Sequence, residues 1–373
     1  MKAPKNPFVL NTYHGDKYFC DREEDLARLN EHVNNGRNVV LFAWRRLGKT
    51  ALVQRLFAEL ERNGEYETLF LDLLACQSMS DAIGTVASAM YDKYGNLEQG
   101  LSGAFQKLLT SLGATLSFSP LTGAPELSIG IKAPDTEAHS LTALGEFLRG
   151  RKKKIVICMD EFQQVSHFAE PQAEAIFRTW TQQFPDIRFI FSGSHRTLMT
   201  EMFAEASRPF YQSAQLLPLK PIPLEVYSEF IQQHFREAGK SIASEQIEKI
   251  YTWSRAQTYT VQLICNYLYG RVSEVEDGDI VQVCADILEQ QQAIFANFPK
   301  MLTRTQWAVF KSIAREERLQ NPLGKDFIQK YNLGAASSVN TALKALQKLE
   351  LVVVDEGTYL VHDVLLARWM ARI

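Results

Sequence analysis

Asn38-Val39-Val40-Leu41-Phe42-Ala43-Trp44-Arg45-Arg46-Leu47-Gly48-Lys49-Thr50 joins a short apolar run to a Gly-Lys-Thr ending. Residues 38–43 are β-branched at their start and bounded by turn residues, which predicts a buried strand. Residues 43–50 then fit G-x-x-x-x-G-K-[ST], with Ala43 standing where the first Gly is expected. That spacing suits a phosphate. Backbone amides from Ala43, Arg45, Arg46, Leu47 and Gly48 can curl around it, and at Gly48 a Cβ would collide. Lys49 supplies an ammonium, Thr50 a hydroxyl for magnesium, and the helix opening at Ala51 aims its positive end at the same anion. A chance Gly-Lys-Thr at a helix start is the competing reading, and the strand before and helix after argue against it. Were Ala43 required to be left-handed, it would cost on the order of 1 kcal/mol.

The flanks carry an alternating pattern. Residues 21–33 predict a helix with Leu26, Leu29 and Val33 inward and Asn34-Asn35-Gly36 as its stop. After the helix at 50–62 come a strand at 68–73 and a helix through Ile83, Val86 and Met90. Residues 95–140 read as an insertion, with strands at 116–118 and 127–131 around a turn at 120–125. A helix at 140–149 and a basic run at 151–154, read as a solvated strand entrance, lead to a strand at 155–159. A helix at 168–184 and strands at 188–192 and 216–219 follow. Strands alternating with helices predict an α/β fold with a parallel, helix-covered sheet. Beyond Pro221-Ile222-Pro223 the pattern turns helical, at 224–237, 244–253, 258–272 and 277–298. From Thr303 three helices and a two-stranded hairpin at 351–354 and 358–361 match a winged helix-turn-helix.

Asp160-Glu161 follow the strand at 155–159 and so fall at the carboxyl edge, where α/β sheets bind ligands. Asp160 is the expected magnesium-side carboxylate and Glu161 the base that orients and deprotonates water. An ordinary helix cap is the alternative, weakened by the phosphate loop. Ser192-Gly193-Ser194 ends the next strand. Ser194, with Ser192 in reserve, is the candidate hydroxyl toward the γ-phosphate or the attacking water. Arg196 and Arg208 follow, each able to meet phosphate charge in cis or across the interface of a homo-oligomer.

Bulk properties fit a soluble cytoplasmic protein. Of 373 residues 46% are hydrophobic, enough for more than one domain core. A net charge of −3 argues against a chain coated in nucleic acid. Five dispersed cysteines suit reduced thiols rather than a disulfide or metal framework. No apolar stretch reaches the roughly 20 residues that span a bilayer.

Taken together, these motifs resemble the archaeal-type ATPases, a branch of the STAND and AAA+-like P-loop proteins that includes relatives of origin-recognition ATPases. Arg45-Arg46-Leu47-Gly48-Lys49-Thr50 is similar to the family's R-R-x-G-K-T loop, and Ile157–Phe162 (ICMDEF) to its Walker B segment. Ser192-Gly193-Ser194 is similar to its sensor strand. Asn6-Pro7-Phe8 and Phe19-Cys20-Asp21-Arg22-Glu23 resemble its N-terminal F-x-x-R-E motif, which implies Phe8 and Phe19 near an adenine. Tyr359, Asp363 and Trp369 resemble the end of its winged-helix domain.

The resemblance implies an ATPase core at residues 1–220, a helical lid at 221–298 and a winged helix at 299–373. It further implies ATP and Mg²⁺ between core and lid, with hydrolysis reorienting the winged helix. Three departures stand out. Ala43 replaces a Gly, Ala256-Gln257-Thr258 replaces a Gly-x-Pro lid motif, and Pro209-Phe210-Tyr211-Gln212-Ser213 lacks the arginine of P-L-Y-G-R. The missing arginine leaves Arg208 as the candidate. In the expected recognition helix Ser337, Ser338, Asn340, Thr341, Lys344 and Lys348 point away from Val339, Leu343, Leu346 and Leu349, which suits duplex DNA. The acidic wing tip Asp355-Glu356 repels a phosphate backbone and favours a protein partner. An ATP-hydrolysing switch and a nucleotide-regulated DNA-binding or scaffold protein with negligible turnover are the two functional readings.

Overall fold

The computed structural model describes residues 4–95, 99–118, 125–129 and 134–372. The chain forms two compact units. Asn11–Pro221 makes one; Ile222–Ile373, joined by the N-terminal segment up to Leu10, makes the other.

In the first unit the elements run α1 (Glu23–Asn34), β1 (Val39–Phe42), α2 (Lys49–Arg62), β2 (Tyr66–Asp72), α3 (Met79–Tyr94) and α4 (Gln99–Ser111). They continue with β3 (Ala114–Phe118), β4 (Pro125–Ile129), α5 (Pro134–Arg149), β5 (Lys154–Asp160), α6 (Ala173–Gln183), β6 (Arg188–Gly193), α7 (Arg196–Ala204) and β7 (Gln215–Pro218). Five strands pair in parallel in the order β2-β5-β6-β1-β7. The apolar runs are continuous because both faces are buried. Val40, Phe42, Ile155, Ile157 and Met159 face one core, while Val39, Leu41, Val156 and Cys158 face the other. β6 separates β1 from β5, so the residues that follow these three strands meet at one edge.

β3 and β4 pair antiparallel, as the insertion predicts. Residues 120–124 of its expected turn, and 130 and 131 of its second strand, lie outside the described residues. The helix expected from residue 168 begins only at Ala173, because Phe162–His167 form a 3₁₀ turn and Pro171 intervenes. α4 and α7 were not expected.

The second unit starts with α8 (Leu224–Glu237), α9 (Ser244–Trp253), α10 (Thr258–Arg271) and α11 (Asp277–Phe295). The last expected helix breaks after Phe295, and Pro299 sits in the first turn of a separate α12 (Phe298–Met301). α13 (Arg304–Glu316), α14 (Lys325–Lys330), α15 (Ala336–Lys348), β8 (Val352–Asp355), β9 (Thr358–Val361) and α16 (Val364–Arg372) complete it. Thr303 and Gln306 cap α13 reciprocally. The β8–β9 hairpin turns through Glu356 and Gly357, both at positive φ, and Leu319 bridges to Tyr359 on its outer side. On α15, Val339, Ala342, Leu343 and Leu346 are buried, but Leu349, expected inward, is 56% exposed. It caps the helix, one residue past the last buried turn.

Candidate active site at the carboxyl edge of the sheet

The phosphate loop runs from the end of β1 into α2. Gly48 has φ 93°, and a Cβ there would meet open space, so its requirement is conformational rather than one of room. Arg46, at φ 66°, is the loop's other left-handed residue. Ala43 has no positive φ. It is buried among Leu41, Leu47 and Leu52, and its amide donates to the Gly193 carbonyl at 3.3 Å. The penalty anticipated for an alanine there therefore does not arise.

Lys49 is 6% exposed, and its Nζ donates to the Ala43 carbonyl at 3.3 Å. Burial lowers its pKa below the ordinary lysine value. Glu161 and Asp160 oppose that shift, while Arg45 adds to it. The Thr50 hydroxyl donates to Asp160 Oδ2 at 2.9 Å, joining the start of α2 to the end of β5. Glu161 follows with φ 53°, a left-handed turn that brings its carboxylate beside the end of β6. There Ser194 Oγ donates to Glu161 Oε2 at 2.6 Å, and Gln163 Nε2 donates to the same oxygen. Arg45 Nε lies 3.5 Å from Ser194 Oγ. The Arg196 guanidinium sits over the ring of Trp44, 5.0 Å from its centroid. Asp72, paired with Asp160 across β2 and β5, has its carboxyl pKa raised by burial and then by the charges of Asp160 and Glu161.

Lys49, Thr50, Asp160, Glu161, Ser194 and Arg45 are thus brought together. Ser192 is not: its side chain is fully buried, with an unpartnered hydroxyl. Arg208 is bound to Glu174 on α6 at 2.6 Å, so its charge is already matched there. Phe19 is partly buried on the α1–α2 side, with the Arg55 guanidinium 5.0 Å from its ring centre. Phe8 belongs to the second unit, where Phe230, His234, Phe235 and Tyr269 enclose its ring completely. A ring with no exposed face cannot stack on a base, so Phe8 is a packing residue. Beside it Asn6 donates to the Asn266 carbonyl and Asn266 to the Phe8 carbonyl, each at 2.8 Å.

Two residues of this site are not singled out as such by the motifs. Arg22, 5% exposed, donates to the Leu47 carbonyl at 3.0 Å and to the Lys220 carbonyl at 2.5 Å, bracing the loop against the segment after β7. Gln163 is the other. Its place two residues after Glu161 was the available signal, but only the 3₁₀ turn folds it back.

A family model for the ATPase domain found predominantly in Archaea matches residues 19–263. The chain belongs to that family. A winged helix domain model matches residues 293–372. Among solved structures, a Walker-type ATPase of Pyrococcus abyssi is 18% identical with a TM-score of 0.66, the match covering 98% of this chain and 100% of that one. The Aeropyrum pernix ORC2 protein in ADPNP–ADP complexes is 13% identical with a TM-score of 0.60, covering 98% and 95%. The Aeropyrum pernix ORC1 protein in complex with DNA is 13% identical with a TM-score of 0.54, covering 99% and 96%. At such identities the likeness concerns the fold. A search of curated proteins found no match.

Proposed function

We propose that this archaeal-type ATPase is a molecular switch that hydrolyses ATP at the carboxyl edge of β1, β5 and β6. The observation that carries the reading is the hydrogen-bonded set of Thr50, Asp160, Glu161 and Ser194 beside the buried Lys49. Lys49 and the loop amides bind the phosphates. Glu161 takes a proton from the attacking water, and Ser194 holds that carboxylate in place. Arg196, stacked on Trp44 next to the loop, is the arginine best supported to meet charge developing on the γ-phosphate in cis.

Magnesium fits the donors. The Thr50 hydroxyl and Asp160 carboxylate are hard oxygen ligands 2.9 Å from each other. When bound there, magnesium neutralises phosphate charge. The five buried, unpaired cysteines suit a reducing cytoplasm. Among the described residues no helix is long and apolar enough to cross a membrane.

Phosphate release with magnesium tests the proposal. Wild type should turn over, and Glu161→Gln should fall by a factor of about 100 or more; equal rates would remove Glu161 from its role.

A second reading gives the winged helix a duplex DNA target under nucleotide control, with little turnover. The exposed face of α15, with Ser337, Ser338, Thr341, Lys344 and Lys348, favours it. So does the DNA complex of the Aeropyrum pernix ORC1 relative. Fluorescence anisotropy with duplex DNA, with and without ATP, discriminates: no salt-sensitive binding in either state removes DNA and leaves a protein partner for α15.

A further inference from the structure

Gln163 is a costly residue where it stands. It is 2% exposed, and its side-chain oxygen is buried without a hydrogen-bond partner, which leaves its desolvation uncompensated. An aliphatic side chain of similar size would avoid that cost. The surroundings are nevertheless shaped to hold it. Phe162, fully buried, anchors the 3₁₀ turn against Phe177, Phe191 and Phe210, with ring centres 4.7–5.9 Å away. Strand β6 ends in Gly193, where a Cβ would lie 2.6 Å from the Gln163 oxygen and 2.5 Å from the Met199 sulfur. Either contact would force a side chain to shift, so the glycine leaves room for Gln163 where it stands.

What the arrangement achieves is visible at Glu161. The Gln163 amide and the Ser194 hydroxyl both donate to Oε2, and the amide also lies 3.5 Å from Ser194 Oγ. Among the described residues nothing donates to Oε1. The two oxygens of the base are thereby made unequal: one is saturated by protein donors, the other is left to accept a proton. The left-handed backbone of Glu161, which a residue with a side chain adopts only at a cost, turns the carboxylate into reach of both donors.

We propose that Gln163 is a positioning residue for hydrolysis, acting through Glu161 by fixing Oε2 so that Oε1 faces the attacking water. The inference rests on the hydrolysis reading above. It goes beyond it by assigning a residue that contacts neither phosphate nor magnesium.

The test uses the full chain and magnesium-dependent phosphate release from wild type, Gln163→Leu, Glu161→Gln and the double variant, with single turnovers followed over hours for the slow forms. Affinity for a fluorescent ATP analogue and thermal melting are measured alongside. Gln163→Leu is expected to lower kcat about tenfold while KM and analogue affinity stay within about twofold, which is the loss of one charge-assisted bond to the base. In the Glu161→Gln background the same change should remove nothing further, because the group it positions has gone. Melting should not drop. If the leucine disturbs folding, Gln163→Met repeats the measurement with an unbranched chain. A Gln163 variant that is folded and as fast as wild type overturns this inference alone. So does an equal further loss in the Glu161→Gln background, or a loss confined to KM. Wild type no faster than Glu161→Gln overturns the hydrolysis reading and this inference together.

Discussion

Ala43 and Gly48 occupy the two ends of a loop motif that is often treated as one glycine-rich unit, yet they answer to different physics here. Gly48 holds φ 93°, which a side chain disfavours by about 1–2 kcal/mol. Gly48→Ala should therefore lower melting by a few degrees, because the strained φ is present without nucleotide, and weaken ATP binding as far as the loop relaxes, measured by calorimetric titration. Ala43 has an ordinary backbone and fills a core position, so the missing first glycine has no conformational cost. The two arginines also separate. Arg196 lies over Trp44 in the loop, whereas Arg208 is paired with Glu174. Arg196→Ala should reduce kcat by a factor of about 100 with melting nearly unchanged, while Arg208→Ala should lower melting and leave kcat per folded molecule close to wild type; the reverse pattern would return the role to Arg208. Lys49 and Thr50 could be singled out by the fixed spacing of the loop motif between β1 and α2, and Asp160 and Glu161 by their place at the end of β5. Gln163 and Arg22 could not, since one reaches the site through a 3₁₀ turn and the other through a long side chain, neither of which periodicity encodes.

Elements were most legible where burial imposes a period. The five parallel strands and helices α8, α9 and α10 follow their apolar patterns closely. α4, α7 and α16 were not expected: α7 is short and buries only Met199, Met202 and Phe203, and in α16 the four consecutive residues Val364 to Ala367 are all buried. In the basic run before β5, Lys152, Lys153 and Lys154 are exposed as expected, and only Arg151 departs. Arg151 is not simply solvated: it forms two bonds to Glu67, at 3.0 and 3.1 Å, and stacks on Tyr94 at 4.8 Å. Burial pushes the Glu67 carboxyl up, but the bonds from Arg151 and Tyr94 outweigh it and leave the pKa below the usual glutamate value. A depressed carboxyl pKa stabilises the fold above the unfolded-state pKa, and that stability fades as pH falls through the folded-state value. Arg151→Ala should cost about 2 kcal/mol at pH 7, and its gap to wild type should close in acid, below the ordinary carboxylate range. Urea melts across pH check both statements. A gap that stays constant in acid would assign the loss to the Tyr94 stacking instead.

Across the whole molecule, the motifs that resemble the family divide into chemistry and architecture. Asp363 accepts the Leu366 amide at 3.0 Å at the start of α16, and Trp369 packs between Phe295 of α11 and Trp307 of α13. Those ends hold the second unit together: Arg368 of α16 donates to the Trp253 carbonyl at the end of α9, and Arg255 returns a bond to Val361 of β9. Phe8 and Asn6 serve the same unit. The catalytic proposal accordingly rests on the first unit, and on one group in particular. Radiolabelled ATP and magnesium should be incubated with wild type and with Glu161→Gln, and the nucleotide retained after rapid desalting identified by chromatography. Retained ATP on Glu161→Gln and ADP on wild type is the predicted result; ATP retained intact on both proteins, or ADP on both, would contradict a site in which Glu161 activates the water.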